Sequence, residues 1–212
     1  MKILNLTDYN SIFNFVYFTA AEIENQIREY PLSFSPKRDE NVEWNMHFPM
    51  FLIPFYKFIY LHKHIPRQNE FWEYYLSENQ AFFSPRILDN ELMDGLKARA
   101  FRAYPSLVRD IHFLFYLKSK FHEATILYNT KLDIGEGIDL LVTHKDKYWG
   151  INLYADTQRA HKGREKKEFR HTKFDNVAYV ELPVQLRDDQ KSGQFFLYGA
   201  RELNQIKSIV DQ

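Results

Sequence analysis

No cysteine occurs anywhere in the chain, which excludes disulfides, thiol catalysis and cysteine-ligated zinc. Glycine is scarce: there are seven, with no G-x-G-x-x-G and no P-loop among them, so no fingerprint for a dinucleotide, flavin or nucleoside triphosphate is present. An excess of one charge is missing as well. Lysine and arginine number 28 and aspartate and glutamate 28, so a polyanion has to be met by a local patch rather than by the whole molecule. The most apolar run, Phe48 to Tyr60, is interrupted by Pro49, Pro54 and Lys57 and is too short to span a bilayer. Met1 to Asn5 lacks the apolar stretch of a signal peptide. A cytoplasmic protein without a membrane partner is the expectation.

What is there is core-forming material. Apolar residues make up 45% and aromatics 17% of the 212 residues, ample for one large domain or a domain with an extension. Thr7 or Asp8 caps an expected first helix carrying Ile12, Phe15, Val16, Ile23 and Ile27, which Pro31 stops. Phe48 to Leu61 is apolar all round and reads as a buried helix, or two bent at Pro54. Pro66 opens another, with Phe71, Trp72, Tyr75 and Leu76 inward, and Asn90 reads as the N-cap of Glu91 to Ala103. Residues 1–103 are thus expected to form an all-helical section, with no linker before the remainder, 104–212. The aromatic wealth of this section could stack bases, but its helical spacing fits core packing better.

After Pro105 the apolar spacing of Leu107, Ile111, Leu114 and Leu117 predicts a helix over 106–120, with Asp110 on the same face. An unpaired charge there is costly, so Asp110 is either salt-bridged to a core arginine or functional. Glu123 to Thr130 reads as a strand. Two further strands, Gly137 to Val142 and Tyr148 to Tyr154, flank the charged turn His144-Lys145-Asp146-Lys147 and form a hairpin. Asp139 heads the first of them, either as a ligand for a hard cation or as an aspartate that caps a turn. Ile151 and Leu153 face the opposite side from Asn152 and Tyr154. The basic segment that follows holds Arg159, Lys162, Arg164, Lys166, Lys167, Arg170 and Lys173 against Glu165 and Glu168. It is suited to phosphate-backbone contact, or is a solvated helix face. Val177 to Leu182 predicts an interior strand, Gln194 to Tyr198 a small one, and Leu203, Ile206, Ile209 and Val210 a last helix.

In this order of elements, and in the placement of Asp139, the region from Tyr104 to Gln212 resembles the PD-(D/E)XK nuclease superfamily. The resemblance implies a restriction-endonuclease-like α/β fold: a mixed sheet flanked by helices, here with the helical section in front. It implies a Mg²⁺-dependent DNA endonuclease, with Mn²⁺ as a substitute, of restriction, defence or mobile-element type and acting as a possible homodimer. Asp139 matches the first acid of the superfamily's pattern. The second motif falls on Asn152-Leu153-Tyr154, which keeps the alternation but has neither the acid nor the lysine. By this resemblance Asp110, Asp139 and Asn152 hold the metal, and Lys162 or Tyr154 orients water or phosphate. The basic residues from Arg159 to Arg170 hold the DNA backbone. The alternative is a catalytically inactive member that binds nucleic acid or serves as an interaction subunit.

Overall fold

The computed structural model describes residues 2–9, 18–86, 89–157 and 173–212. The protein is α/β: helices dominate the amino-terminal part, and a mixed four-stranded sheet with flanking helices follows. Helix α1 (Ala20–Ile27) starts at Thr19, whose hydroxyl accepts from the Glu22 N–H while the Glu22 carboxylate accepts from the Thr19 N–H. Ile23 and Ile27 of the expected first helix therefore lie in α1; Ile12, Phe15 and Val16 fall outside the described residues.

Helix α2 (Leu52–His62) is one continuous helix, with Pro54 at its third residue. The proline occupies the first turn, where the missing N–H has no intrahelical acceptor to lose. Nor is α2 apolar because it is buried all round: Phe55, Tyr56 and Ile59 are buried, while Ile53, Tyr60 and Leu61 remain exposed. Helix α3 (Gln68–Glu78) buries Phe71, Trp72 and Tyr75, as expected, and the short α4 (Gln80–Phe83) follows.

The largest departure from the sequence reading is α5 (Asn90–Lys120), one helix of 31 residues where two were expected. Its cap is Asp89, whose side chain accepts from the Leu92 N–H at 2.7 Å, one residue before Asn90. Pro105 lies inside it and cannot donate to the Phe101 carbonyl one turn earlier. That carbonyl accepts instead from the buried Gln68 side chain, at 3.1 Å. Gln68 also exchanges two hydrogen bonds with the Ser33 backbone, so its amide is fixed in place before α5 meets it. Helix α5 runs straight through the boundary expected at residue 103, and one apolar cluster joins side chains from both sides of it.

Beyond α5 come β1 (Thr125–Leu127), α6 (Thr130–Glu136), β2 (Leu140–His144), β3 (Lys147–Ala155) and β4 (Val177–Val184). The expected strand over Glu123 to Thr130 is thus shortened to three residues, because Asn129 caps a helix that was not foreseen. Gly137 ends α6 at φ 68°, a left-handed conformation that favours glycine. The sheet order is β1-β2-β3-β4, with the first two pairings antiparallel and the third parallel. Lys145 and Asp146, at φ 48° and 59°, form the two-residue turn between β2 and β3. Among the described residues strand β4 is at the sheet's edge rather than in its interior, and Pro183, which cannot donate to a ladder, fits that position. A small hairpin, β5 (Lys191–Ser192) with β6 (Phe195–Phe196), and the final helix α7 (Ala200–Val210) complete the chain. At the tip of that hairpin Gly193 has φ 57°, and a Cβ there would lie 2.2 Å from the Arg28 carbonyl oxygen.

The sheet has two different faces. One packs Leu140, Val142, Ile151, Leu153, Val180 and Leu182 into the main core with α5 and α2. The other carries Leu141, Val177, Tyr148 and Tyr179 against a smaller cluster of Leu4, Leu132, Ile138 and Phe174.

Candidate functional site

Asp139 stands just before β2, held from both sides. Gly137 releases the chain from α6, the buried Ile138 anchors it, and Leu140 opposite Ile151 begins the ladder. Its carboxylate Oδ2 accepts from the Leu153 N–H at 2.7 Å, prolonging the β2–β3 ladder by one bond that a backbone carbonyl would otherwise make. Both readings of this aspartate are compatible with that geometry: it stands at the start of a strand, and its side chain is half-buried.

Asp110 approaches from α5. Leu107, Ile111 and Leu114 around it are buried, whereas Asp110 itself is half-buried. Among the described residues it makes no hydrogen bond and no ion pair. Arg109 does not neutralise it by contact: its Nε donates to the Phe196 carbonyl at 2.8 Å, and its guanidinium lies 5.2 Å from the Tyr198 ring centre. Neither does His112, which pairs with Glu24 at 2.8 Å. Burial, then the charge of Asp139, push the Asp110 carboxyl up to about 7, with the Arg109 charge opposing. The two aspartates singled out by sequence are therefore electrostatic neighbours.

Two tyrosines lie with them. Tyr56 of α2 and Tyr128, just after β1, stack with ring centres 4.5 Å apart and planes 13° from parallel. Burial pushes both phenols far up, and the charges of Asp110 and of Asp133 on α6 add to it; Asp139 acts on Tyr56 too. A contact between the two hydroxyls lowers Tyr56 and raises Tyr128, which makes Tyr128 the donor of the pair, although its geometry falls outside that of a regular hydrogen bond. Tyr198, near Arg109, is pushed up to about 12 by burial and by Asp110. Sequence reasoning missed Tyr56, Tyr128, Tyr198 and Asp133. Aromatics in apolar runs read as core, and Asp133 sits in the helix that was not foreseen.

Asn152 and Tyr154 alternate with the residues on the α5 side of β3. Strand alternation sends Ile151 and Leu153 to the α5 side and Asn152 and Tyr154 to the other. Asn152 lies opposite Glu181 in the β3–β4 register, and its Nδ2 donates to Glu181 Oε1 at 2.8 Å. That bond fixes the amide orientation and leaves the buried Oδ1 without a hydrogen-bond partner. Glu181 was also missed, although an acid amid an apolar strand was its signal. Of the expected group, Asp110 and Asp139 are electrostatic neighbours, while the Asn152 side chain is bonded to Glu181, one position along β3 from the Leu140–Ile151 pair that follows Asp139. Lys162, with Arg159, Arg164, Lys166, Lys167 and Arg170, lies outside the described residues.

Among the described residues, no group of three or more His, Asp or Glu side chains stands close enough to hold a metal ion. The Asp110–Asp139 pair still fits a hard cation that keeps most of its waters, which needs only one or two protein carboxylates. A cation there would offset the charge that burial and Asp139 make costly at Asp110. No helix among the described residues is long and apolar enough to cross a membrane. Comparison with protein-family models, with curated proteins and with solved structures returns no match for this chain.

Proposed function

We propose that the protein is a divalent-cation-dependent DNA endonuclease of the PD-(D/E)XK type, using Mg²⁺ or Mn²⁺. The observation that carries this reading is the Asp110–Asp139 pair: two half-buried carboxylates from separate elements, one unpartnered and raised to about 7 by burial and by the other. The strand order and pairing, preceded by a helix that carries an acid, support it. When bound, the cation supplies positive charge to the phosphate and to its attacking water. The chain itself contributes two ligands. Asp139 is kept in place by the Leu153 N–H, and Asp110 is delivered by the rigid α5. The basic residues from Arg159 to Arg170 contact the DNA backbone without reading its sequence. A homodimer would bring one site to each strand of a duplex.

A specific observation favours a second reading, a catalytically silent nucleic-acid-binding protein with the same fold. Beside Asp139, on the face that receives Asp110, β3 presents the apolar Ile151 and Leu153.

The test is incubation of the purified protein with plasmid, linear and single-stranded DNA in Mg²⁺, in Mn²⁺ and in EDTA, beside Asp139→Ala. Metal-dependent cutting that disappears in the variant is expected. Salt-sensitive binding without cutting, weakened by changing Lys166 and Lys167, would favour the silent binder instead.

A further inference from the structure

Away from the aspartate pair two histidines are buried, and their hydrogen bonds set them apart. His112 has one acceptor. Its Nε2 lies 2.8 Å from Glu24 Oε1, while the buried Nδ1 has no partner and burial holds the ring below the usual histidine range. A neutral imidazole, with one N–H, fills that geometry. His144, 7% exposed at the end of β2, has two acceptors. Its Nδ1 lies 3.0 Å from the carbonyl oxygen of Glu123, beyond α5, and its Nε2 lies 3.1 Å from Oδ1 of Asp211, just past α7. A carbonyl cannot donate. Neither can the Asp211 carboxylate, which its hydrogen bond from Lys145 holds below the usual carboxylate range. With an acceptor at each nitrogen, only the imidazolium, which has two N–H groups, makes both bonds.

We propose that His144 is a pH-sensitive clasp, an imidazolium that ties the last turn of α7 to the end of α5 and releases it when the ring loses its proton. The charged groups of the neighbouring elements are Asp211 and Lys207 from α7, Lys145 from the β2–β3 turn and Glu123 beyond α5. Lys145 Nζ is 3.1 Å from the same Asp211 oxygen, and Lys207 Nζ is 3.9 Å from Glu123 Oε2 and 5.0 Å from the Phe121 ring centre. Phe121 in turn packs 5.7 Å from the His144 ring. Of these residue types, histidine is the one that ordinarily changes charge between pH 5 and 8. A neutral ring has one N–H for two acceptors, so one nitrogen lone pair then faces an oxygen. Asp211 is the partner that yields: its side chain is 56% exposed at a helix end, whereas the Glu123 carbonyl is fixed in the backbone. Leu203, Ile206 and Val210 stay in the main core, so the opening is confined to the end of α7. The clasp is closed on the acid side and open on the alkaline side.

Two readouts on the full chain test this, each at pH 5.5 and pH 8: nitrogen-15 spectra of the histidine rings, and amide hydrogen exchange over residues 207–212 corrected for intrinsic rates. At pH 5.5 His144 should carry a proton on both ring nitrogens and His112 on one. The Asp211 amide donates to the Lys207 carbonyl at 3.0 Å, and its protection should fall about tenfold from pH 5.5 to pH 8. His144→Gln should abolish that dependence. Lys145→Gln, which deletes the other cationic partner of Asp211, should keep it. A His144 ring with a single proton at pH 5.5, equal protection at the two pH values in the wild type, or a dependence that survives in His144→Gln would each overturn the proposal. The ring spectra and the wild-type exchange decide the matter even where His144→Gln does not fold.

Discussion

Strand β3 has two faces built from alternate residues of one short run, and they treat polar groups in opposite ways. On one side Asn152 donates to Glu181, its neighbour in register, so a polar pair is closed within the sheet. On the other, Ile151 and Leu153 are apolar, and the charges come from outside the strand: Asp110 from α5 and Asp139 from the approach to β2. The first arrangement satisfies a side chain. The second leaves a carboxyl that burial and a like charge hold in an unfavourable state. A site built from helix and loop over an apolar strand face gains its chemistry from what the strand does not supply.

The contrast can be broken most severely through its apolar member. Ile151 is fully buried in the main core, so Ile151→Ala should cost about 2–5 kcal/mol in urea unfolding, whereas Tyr148→Phe on the half-buried opposite side should stay within about 0.5 kcal/mol. Comparable losses would mean that the two faces are not packed as different environments.

Asp110 gives the next effect, and its sign follows from linkage. An unfolded aspartate releases its proton near 3.8, whereas folded Asp110 does so near 7, so between those values the folded state binds more protons. Stability contributed by this group is therefore full below about pH 4, falls as pH rises toward 7, and is level above it. Asp110→Asn should flatten that slope and be the more stable protein at pH 8, by up to about 4 kcal/mol. Denaturant titrations at pH 4.5, 6 and 8 check it; a wild type that gains stability over that interval, relative to Asp110→Asn, would refute the coupling.

The smallest effect is also the sharpest for function. Asn152→Asp restores the acid that the resembled motif carries, and it would set a second carboxylate against Glu181, whose Oε1 accepts from the Asn152 amide at 2.8 Å. We expect a loss of about 1 kcal/mol at pH 8, recovered on acidification, with no gain in metal-dependent cleavage. A marked gain in cleavage would show that Asn152 belongs to the site.

How much of this was legible in the sequence depended on how local the cause was. The β2–β3 hairpin could be read because alternation and the Lys145-Asp146 turn lie within a few residues of each other. The continuity of α5 could not, because the group that replaces the bond lost at Pro105 is Gln68, on another helix. Helix α6 is seven residues long with Gly135 inside it, too weak a pattern to outcompete a strand reading. In the site, Asp110 and Asp139 were visible as acids among apolar residues. Tyr56, Tyr128 and Asp133 were not, since nothing in a sequence marks which core aromatics end beside a charge. The placement of Asn152 and Tyr154 on the side-chain face opposite Ile151 and Leu153 was implicit in their alternation. Only the packing of α5 decides which of the two faces receives Asp110.

The most direct measurement is calorimetric titration of Mn²⁺ into wild type, Asp110→Asn, Asp139→Asn and Asn152→Ala. The account predicts one saturable site in wild type, lost in both aspartate variants and retained in Asn152→Ala. Binding that survives loss of either aspartate, or no binding to the wild type, would contradict it.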